Sequence, residues 1–305
     1  MTDAPPTINE AAPPKDAVPA AAFGIRGQTQ LGGIWRRFFR NKLAVLGLGM
    51  VAVVFLTAAF APLLAPYDPR AQNLQNTTAK PSAAHWLGTD ELGRDQLSRV
   101  IFGSRIAIVV GLASIVLALF LGVILGSIAG YRGGKADSIV MRTADAFFAF
   151  PLLIGAILII LVTGRGVFPV ILSIGVFTWA VPARLLRSSI LSVREAEYVE
   201  AARSLGASSW RIVTRHVLPN SMAPVLVYGM VSVGTAIVAE TALSFLGVGV
   251  NPDVPDWGNM IAAGRQFFGF LDYLWIYPSL AVVFTVLGFV FVGDGLRDAL
   301  DPRLR

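Results

Sequence analysis

Long stretches without a single charged residue dominate the hydrophobic pattern of this chain. Each stretch has 18 to 26 residues, close to the roughly 17–25 that an α-helix needs to cross a bilayer. Polar and apolar residues do not alternate as in membrane-barrel strands, and a helix satisfies its own backbone groups in lipid. The pattern predicts an all-α polytopic membrane protein with six transmembrane helices. The six stretches are 43–67, 106–131, 146–164, 166–183, 217–239 and 273–293.

Composition agrees with this pattern and excludes several protein classes. Hydrophobic residues make up 55% of the 305 residues and charged residues 14%, against about 25% charged in soluble domains. The mean hydropathy is +0.66. The absence of cysteine excludes a disulfide framework and a cysteine zinc site. The two histidines do not supply a multi-histidine metal site, so we predict no metal site.

An amphipathic segment precedes the first stretch. Residues 31–42 read LGGIWRRFFRNK and place Trp35, Phe38 and Phe39 on one side of a helix, with arginines toward the other. Aromatic rings at the acyl boundary and arginines on lipid headgroups are typical of an interfacial helix; the alternative is a simple basic stop before the span. Residues 1–30, rich in Ala and Pro, predict a disordered tail.

Basic residues indicate how the spans are oriented. With the N-terminus inside, 18 of the 25 Lys and Arg fall in the inner segments and 7 in the outer ones. This bias predicts that both termini are cytoplasmic. The net charge of +6 is therefore spread along a membrane face, which argues against a nucleic-acid partner.

These features together predict the organisation of the chain. The N-terminal part comprises a tail (1–30), an interfacial helix (31–42), a first transmembrane helix (43–65) and an extracytoplasmic segment (66–105). The rest comprises a five-helix core (106–297), which contains a long basic loop (184–220), and a cytoplasmic C-terminus (298–305).

Patterns of common catalytic sites are not matched. AGYRGGKA, at 129–136, comes nearest to a phosphate-binding loop, but Ala129 stands where that pattern needs Gly and Ala136 where it needs Ser or Thr. No serine lies in a Gly-x-Ser-x-Gly setting. We predict no catalytic residues, so the energy for any transport must come from partner subunits or an ion gradient.

The loop 184–220 is longer than the 2–8 residues that usually connect bundled helices. Within it, Glu195–Leu205 has strong helix formers, Gly206 favours a left-handed stop, and Ser208 or Ser209 can cap a second helix that runs to His216. The sequence therefore predicts a helix-turn-helix on the cytoplasmic face. The residues at helical spacing on one side of the first helix are Tyr198, Ala201, Ala202 and Leu205. Such a short helix with small and apolar residues suits insertion into a partner's cleft.

Glu200, Ala201 and Ala202, followed by Gly206 and by Pro219, resemble the EAA loop of ABC-importer permeases. His216 departs from that family's pattern, which has Ile there. The resemblance implies that the helix with Glu200, Ala201, Ala202, Leu205, Gly206 and Tyr198 docks into a cytoplasmic ATPase subunit.

Further stretches are similar to the C-type permease subunits of dipeptide, oligopeptide and nickel ABC importers. These are LGTDELGRDQLSR (87–99), GYRGGKADSIVMRTADAFFAFP (130–151), ETALSFLGVG (240–249) and GDGLRDALDPRLR (293–305). The resemblance implies a bacterial inner-membrane complex with a second permease, two ATP-binding subunits and an extracytoplasmic binding protein.

The same resemblance implies that this chain is not an enzyme and binds no cofactor, and that ATP and Mg²⁺ belong to the partners. Peptide import is the implied function, while nickel, haem and glycosides are alternative substrates. From another class, a secondary transporter driven by an ion gradient predicts internal repeats and broken helices, and neither is evident in the sequence.

Two carboxylates near span ends, Asp145 and Glu240, are candidates for the translocation path or its outer mouth, because ionisable residues in spans often line such paths. The alternative for both is a structural pair, for Asp145 with Arg142 three residues earlier.

In the outer segment, Asp90, Arg94 and Asp95 are candidates to contact the binding protein, with folding of the segment as the alternative. Thr89 or Asp90 is predicted to cap a short helix leading into the second span. In that span, Gly111, Gly122 and Gly126 predict close helix packing.

Overall fold

The computed structural model describes residues 30–300 and is almost entirely helical, with no β-strand in that range. The predicted tail therefore lies outside the described residues except for Gln30, as do 301–305 of the predicted C-terminus. The first eight helices are α1 (Gln30–Arg40), α2 (Lys42–Ala59), α3 (Ala61–Leu64), α4 (Gln96–Arg132), α5 (Gly134–Ala149), α6 (Leu152–Thr163), α7 (Val167–Thr178) and α8 (Ala180–Val193). The others are α9 (Glu197–Ser204), α10 (Ser209–Ile212), α11 (Leu218–Ser221), α12 (Ala223–Phe245), α13 (Trp257–Gly264) and α14 (Tyr273–Leu300).

Five helical segments are long and apolar enough to cross a membrane, and the bent pair of α5 and α6 supplies a sixth. The five are α2, α4, α7 together with α8, α12 and α14. The all-α polytopic prediction is thereby confirmed, with five spans, or six when the bent pair is counted as one span. α4 lies at the centre of the bundle and packs against α2, α5, α7, α8 and α12.

Prolines change two of the predicted spans. The stretch 146–164 is not one straight helix, because the chain bends by 94° between α5 and α6. Phe150 precedes Pro151 and is extended (φ −100°, ψ 125°), as expected before proline. Pro182 cannot donate to the carbonyl of Thr178, where α7 ends. The helix then resumes and continues to Val193, ten residues beyond the predicted span end at 183.

The short helix predicted to lead into the second span is continuous with it, so α4 begins at Gln96, ten residues before the uncharged stretch 106–131. Its N-cap is Asp95, whose carboxylate accepts the backbone N–H of Ser98 at 2.8 Å. Thr89 and Asp90 were predicted as caps, but Gly93 turns the chain between them and α4 at φ +71°. With 37 residues, α4 is about 55 Å long, so it extends well beyond the thickness of a bilayer.

Close packing of α4 against α8 confirms the prediction from the glycines. A Cβ atom on Gly126 would lie 2.6 Å from the carbonyl oxygen of Ala183, and one on Gly122 would lie 2.7 Å from the Pro182 ring. Gly111 approaches Ile237 of α12 in the same way, at 2.7 Å. Each contact brings two helix backbones nearer than larger side chains allow.

The amphipathic segment forms α1. Phe38 is buried in a cluster with Ala44, Val292 and Ala299, whereas Trp35 and Phe39 are exposed and stack with ring centroids 5.8 Å apart. α1 is therefore held against α14, with two aromatic rings left on the outer surface. Its position at the membrane interface stays a prediction.

The connection between α12 and α14 contains a helix that the sequence analysis missed. α13 packs against both neighbouring helices, and its first residue, Trp257, is buried and donates from Nε1 to the carbonyl of Val100 at 2.9 Å. Asp256 caps α13 by accepting the N–H of Asn259 at 2.9 Å. This Asp-x-x-Asn spacing was the available sequence signal.

Candidate functional site

The predicted helix-turn-helix forms after α8. In α9, Val199 is fully buried among Leu186 and Ile190 of α8 and Ile212 of α10. Arg194, just before α9, donates from Nη1 to the carbonyl of Gly130 at 3.1 Å. The segment is thus attached both to α8 and to the end of α4.

Gly206 makes the turn between α9 and α10. Its φ of +78° is left-handed, and the N–H of Ala207 reaches back to the carbonyl of Ala202 at 3.1 Å, as in a Schellman ending. Ser208 then caps α10 by accepting the N–H of Arg211 at 3.4 Å. Both predictions for this turn, the glycine stop and the serine cap, are confirmed. Beyond α10 the helix is π-helical over Val213–Val217.

Large apolar side chains of this segment are exposed. Leu205 is 88% exposed, Trp210 78% and Tyr198 47%; Ala201 is also exposed and Ala202 partly so. We call Tyr198, Ala201, Leu205 and Trp210 the coupling surface, after the docking role that the resemblance implies. Contiguous exposed apolar groups are typical of sites of protein contact. Trp210 was missed in the sequence analysis, although it directly follows the predicted cap residues.

Glu200, the first residue of the EAA tripeptide, lies on the exposed side of α9. Its carboxylate accepts from Arg203 Nη1 at 2.8 Å, and both side chains are more than half exposed. Such an exposed pair contributes little to stability.

The outer candidates Asp90, Arg94 and Asp95 are brought together but are buried. Asp90 accepts from Arg94 Nε at 2.6 Å, and Asp95 lies 2.9 Å from Nδ1 of His85 while it caps α4. Arg99 also approaches Asp90, at 3.5 Å. These contacts account for the fold of the outer segment and leave little of the three side chains exposed to a binding protein.

Glu240 is enclosed, with 1% of its surface exposed. It accepts from Ser244 Oγ at 2.9 Å and lies beside the side chain of Asp256. Burial raises the pKa of Asp256. Two carboxyl groups buried side by side repel each other when both are ionised, so this contact is sensitive to the charge of either group. In this conformation Glu240 joins α12 to α13 and does not line an open path.

Replacement of Glu240 tests this structural role. We expect Glu240→Gln to preserve the thermal unfolding midpoint, because the neutral amide has nearly the same shape, can donate to Asp256 and removes the possibility of two adjacent negative charges. Glu240→Ala should lower stability by about 2 kcal/mol, since it leaves a buried carboxyl group without its partner. Thermal unfolding of the purified protein measures both. A Glu240→Gln variant as unstable as Glu240→Ala would contradict this structural role.

From the sequence, Arg142 of the same helix was the suggested partner of Asp145. In the structure Asp145 pairs with Arg184 of α8 instead. The Arg184 guanidinium also lies 4.3 Å from the centre of the Phe148 ring. Three residues further along α8, Arg187 Nη2 donates to Asp137 at 2.5 Å. Asp145 and Arg184 are both substantially exposed, so this candidate is on a surface, unlike Glu240.

Comparison with known proteins identifies the family. Residues 122–305 match the family described as binding-protein-dependent transport system inner membrane component. Residues 29–81 match the N-terminal transmembrane domain of oligopeptide transport permease C. The first match covers more than half of the chain, and the second covers α1 to α3.

Similar proteins cover most of the chain. The oligopeptide transport system permease protein OppC of Bacillus subtilis (strain 168) is 43% identical over 269 residues, which are 88% of each chain. The glutathione transport system permease protein GsiD of Pectobacterium atrosepticum is 41% identical, over 89% of this chain and 90% of its own. The dipeptide transport system permease protein DppC of Alkalihalophilus pseudofirmus is 39% identical, with the same coverage. With its six-span helical fold, the chain therefore belongs to the family of binding-protein-dependent transport system inner membrane components.

Proposed function

We propose that this chain is the permease subunit of an ABC importer for dipeptides and oligopeptides. The observation that carries the proposal is 39–43% identity over about nine-tenths of the chain to permeases named for oligopeptides, glutathione and dipeptides. All three substrates are peptides. The alternatives nickel, haem and glycosides have no such support among these relatives, and a binding-protein-dependent family argues against an ion-gradient transporter.

The proposed mechanism is alternating access. A second permease completes the pore, an extracytoplasmic protein delivers the peptide, and two partner subunits bind ATP and Mg²⁺. Closure of the ATPase pair moves the coupling surface. Because Val199 packs against α8 and Arg194 holds the carbonyl of Gly130, that movement passes to α8 and α4. The two states then differ in which side of the membrane the pore faces.

Reconstitution tests the proposed function. The chain is purified with its partner subunits, placed in proteoliposomes and supplied with binding protein, ATP and labelled dialanine. We expect uptake that requires both ATP and the binding protein. Uptake by the chain alone, driven by a proton or sodium gradient, would contradict the proposal.

The coupling surface can be tested separately with Leu205→Asp. Leu205 is 88% exposed, so the change should leave the fold of this chain intact. It should weaken ATPase association by about 2 kcal/mol, or roughly 30-fold, as for a central interface residue. Co-purification of the ATPase subunits measures the loss. Leu74→Asp, at an exposed leucine in the outer segment, is the matched control, and an equal loss there would contradict the docking role.

A further inference from the structure

A charged groove lies between α5 and α8, and the family assignment gives it no role. Its volume is about 460 Å³, within the range of about 300–1,000 Å³ that is common for ligand pockets. The charged residues that line it are Asp137, Arg142, Asp145, Arg184 and Arg187. They carry one net positive charge, and Arg142 makes no ion pair with any other residue in 30–300.

The ion pair of Arg184 and Asp145 lies beside the predicted inner end of the uncharged stretch 106–131. Ala183, next to Arg184, contacts Gly126, which is five residues, or about 8 Å, inside the uncharged stretch 106–131. Arg187 lies one turn further along α8 and approaches Gly130 at the end of that stretch. The Arg184–Asp145 and Arg187–Asp137 pairs therefore follow each other along α8 toward the predicted cytoplasmic side.

Exposed charges at this depth require water or protein as their surroundings. The side chains of Arg184 and Asp145 are 45% and 61% exposed. Ionised groups facing hydrocarbon are costly, and in membrane proteins they face bundle interiors or water-filled cavities. The chain's own helices leave this face uncovered, so it is directed toward the pore or toward the partner permease.

We propose that this groove lines the translocation path and holds the charged ends of a peptide in transit, with Arg184 receiving the carboxylate and Asp145 the ammonium group. This inference rests on the proposed function. An exposed ion pair can exchange its internal partners for those of a zwitterion at little net cost. The planar guanidinium of Arg184 can bind a carboxylate through two parallel hydrogen bonds. The net positive charge of the groove also favours the carboxylate end of the peptide.

Recognition of the two ends also fits a carrier of many peptides. Every unmodified peptide has one free ammonium group and one free carboxylate, whatever its side chains. A groove that binds only these groups at a fixed separation accepts dipeptides whatever their side chains, and it favours short peptides over long ones because each added residue separates the two ends by about 3.5 Å. The relatives named for dipeptides, oligopeptides and glutathione have substrates with both charges.

Cysteine labelling tests whether water reaches the groove. The chain has no native cysteine, so Met141→Cys, in the groove between the two ion pairs, introduces the only thiol of this chain, and labelling is read from the band of this chain after the subunits are separated. We expect a hydrophilic maleimide to modify it in the assembled transporter in nanodiscs, because the reactive thiolate forms only in contact with water. Val53→Cys, on the exposed apolar face of α2, should remain unmodified. An unreactive Met141→Cys would overturn the inference by showing a groove sealed against lipid or the partner permease.

Protection by peptide tests what the groove binds. Saturating dialanine, without binding protein, should slow modification about tenfold when roughly nine-tenths of the sites are occupied. N-acetyl-dialanine amide, which lacks both charges, should give no protection. Adding Arg184→Gln should preserve labelling and weaken dialanine binding about ten- to hundredfold, the effect of a lost charged hydrogen bond. Equal protection by both compounds, or protection unchanged by Arg184→Gln, would overturn the assignment.

The same preparations separate this inference from the proposed function. ATP-dependent uptake of dialanine by the unmodified transporter with its binding protein tests the function alone. Intact uptake with no protection of Met141→Cys would reject the groove as the binding site and leave the importer in place. Absent uptake would reject the peptide importer, and the inference with it.

Discussion

Gly206→Pro should abolish peptide uptake while leaving the chain inserted in the membrane. Gly206 has φ +78°, and its N–H donates to the carbonyl of Arg203 at 3.0 Å. Proline fixes φ near −65° and has no N–H, so the turn between α9 and α10 cannot form, at a cost of about 3 kcal/mol or more. The coupling surface then loses its shape. ATPase activity of the assembled transporter should no longer respond to loaded binding protein, and uptake in proteoliposomes should fall to background.

Gly164→Pro is the matched control for this prediction. Gly164 ends α6 with φ +88° and donates its N–H to the carbonyl of Ile160 at 2.8 Å. The local damage is therefore the same, but it lies in the predicted outer turn between α6 and α7. We expect the ATPase to remain coupled in this variant. Normal uptake by Gly206→Pro, or equal uncoupling by both variants, would refute the role of the turn.

Gly126→Val should prevent the core from assembling. A Cβ atom at Gly126 would lie 2.6 Å from the carbonyl oxygen of Ala183, which belongs to the backbone and has no rotamer to change. α4 and α8 would have to separate, at a cost of about 3 kcal/mol or more for overpacking of this kind. We expect little monodisperse protein after detergent extraction and a markedly lower unfolding midpoint for what is recovered.

Gly49→Val provides the comparison, because a Cβ atom at Gly49 of α2 meets nothing within 4 Å. The substitution is the same and also lies within a membrane helix, so any general effect of valine is controlled. Yield and unfolding midpoint should match those of the unmodified chain. If both variants lost stability equally, close approach of α4 and α8 would not be the cause.

The number of spans could be predicted from sequence because uncharged length reports directly on bilayer thickness. The turn at Gly206 could be predicted as well, since left-handed backbone strongly favours glycine. The ends of helices inside the bundle were harder to predict. Uncharged length indicates depth but not where a helix stops, and the bend at Pro151 and the start of α4 at Gln96 are set by local backbone and capping chemistry.

Side-chain pairs between distant segments were the main part of the site that could not be predicted from sequence. Asp145 was matched with Arg142 because a single helix brings them together, whereas the fold brings Arg184 from α8. Glu240 finds Asp256 sixteen residues later through the unpredicted α13. For α9, by contrast, helical spacing alone placed Tyr198 and Leu205 on the side that the structure leaves exposed, since exposure there follows from one local element.

The length of α4 has a mechanical consequence. One unbroken helix of 37 residues begins among the buried ion pairs of the outer segment and ends where Arg194 holds the carbonyl of Gly130. A rigid rod of about 55 Å that pivots by about 10° at its midpoint displaces each tip by about 5 Å. A pivot of this kind would transmit a displacement from one end of α4 to the other without any relay of side chains.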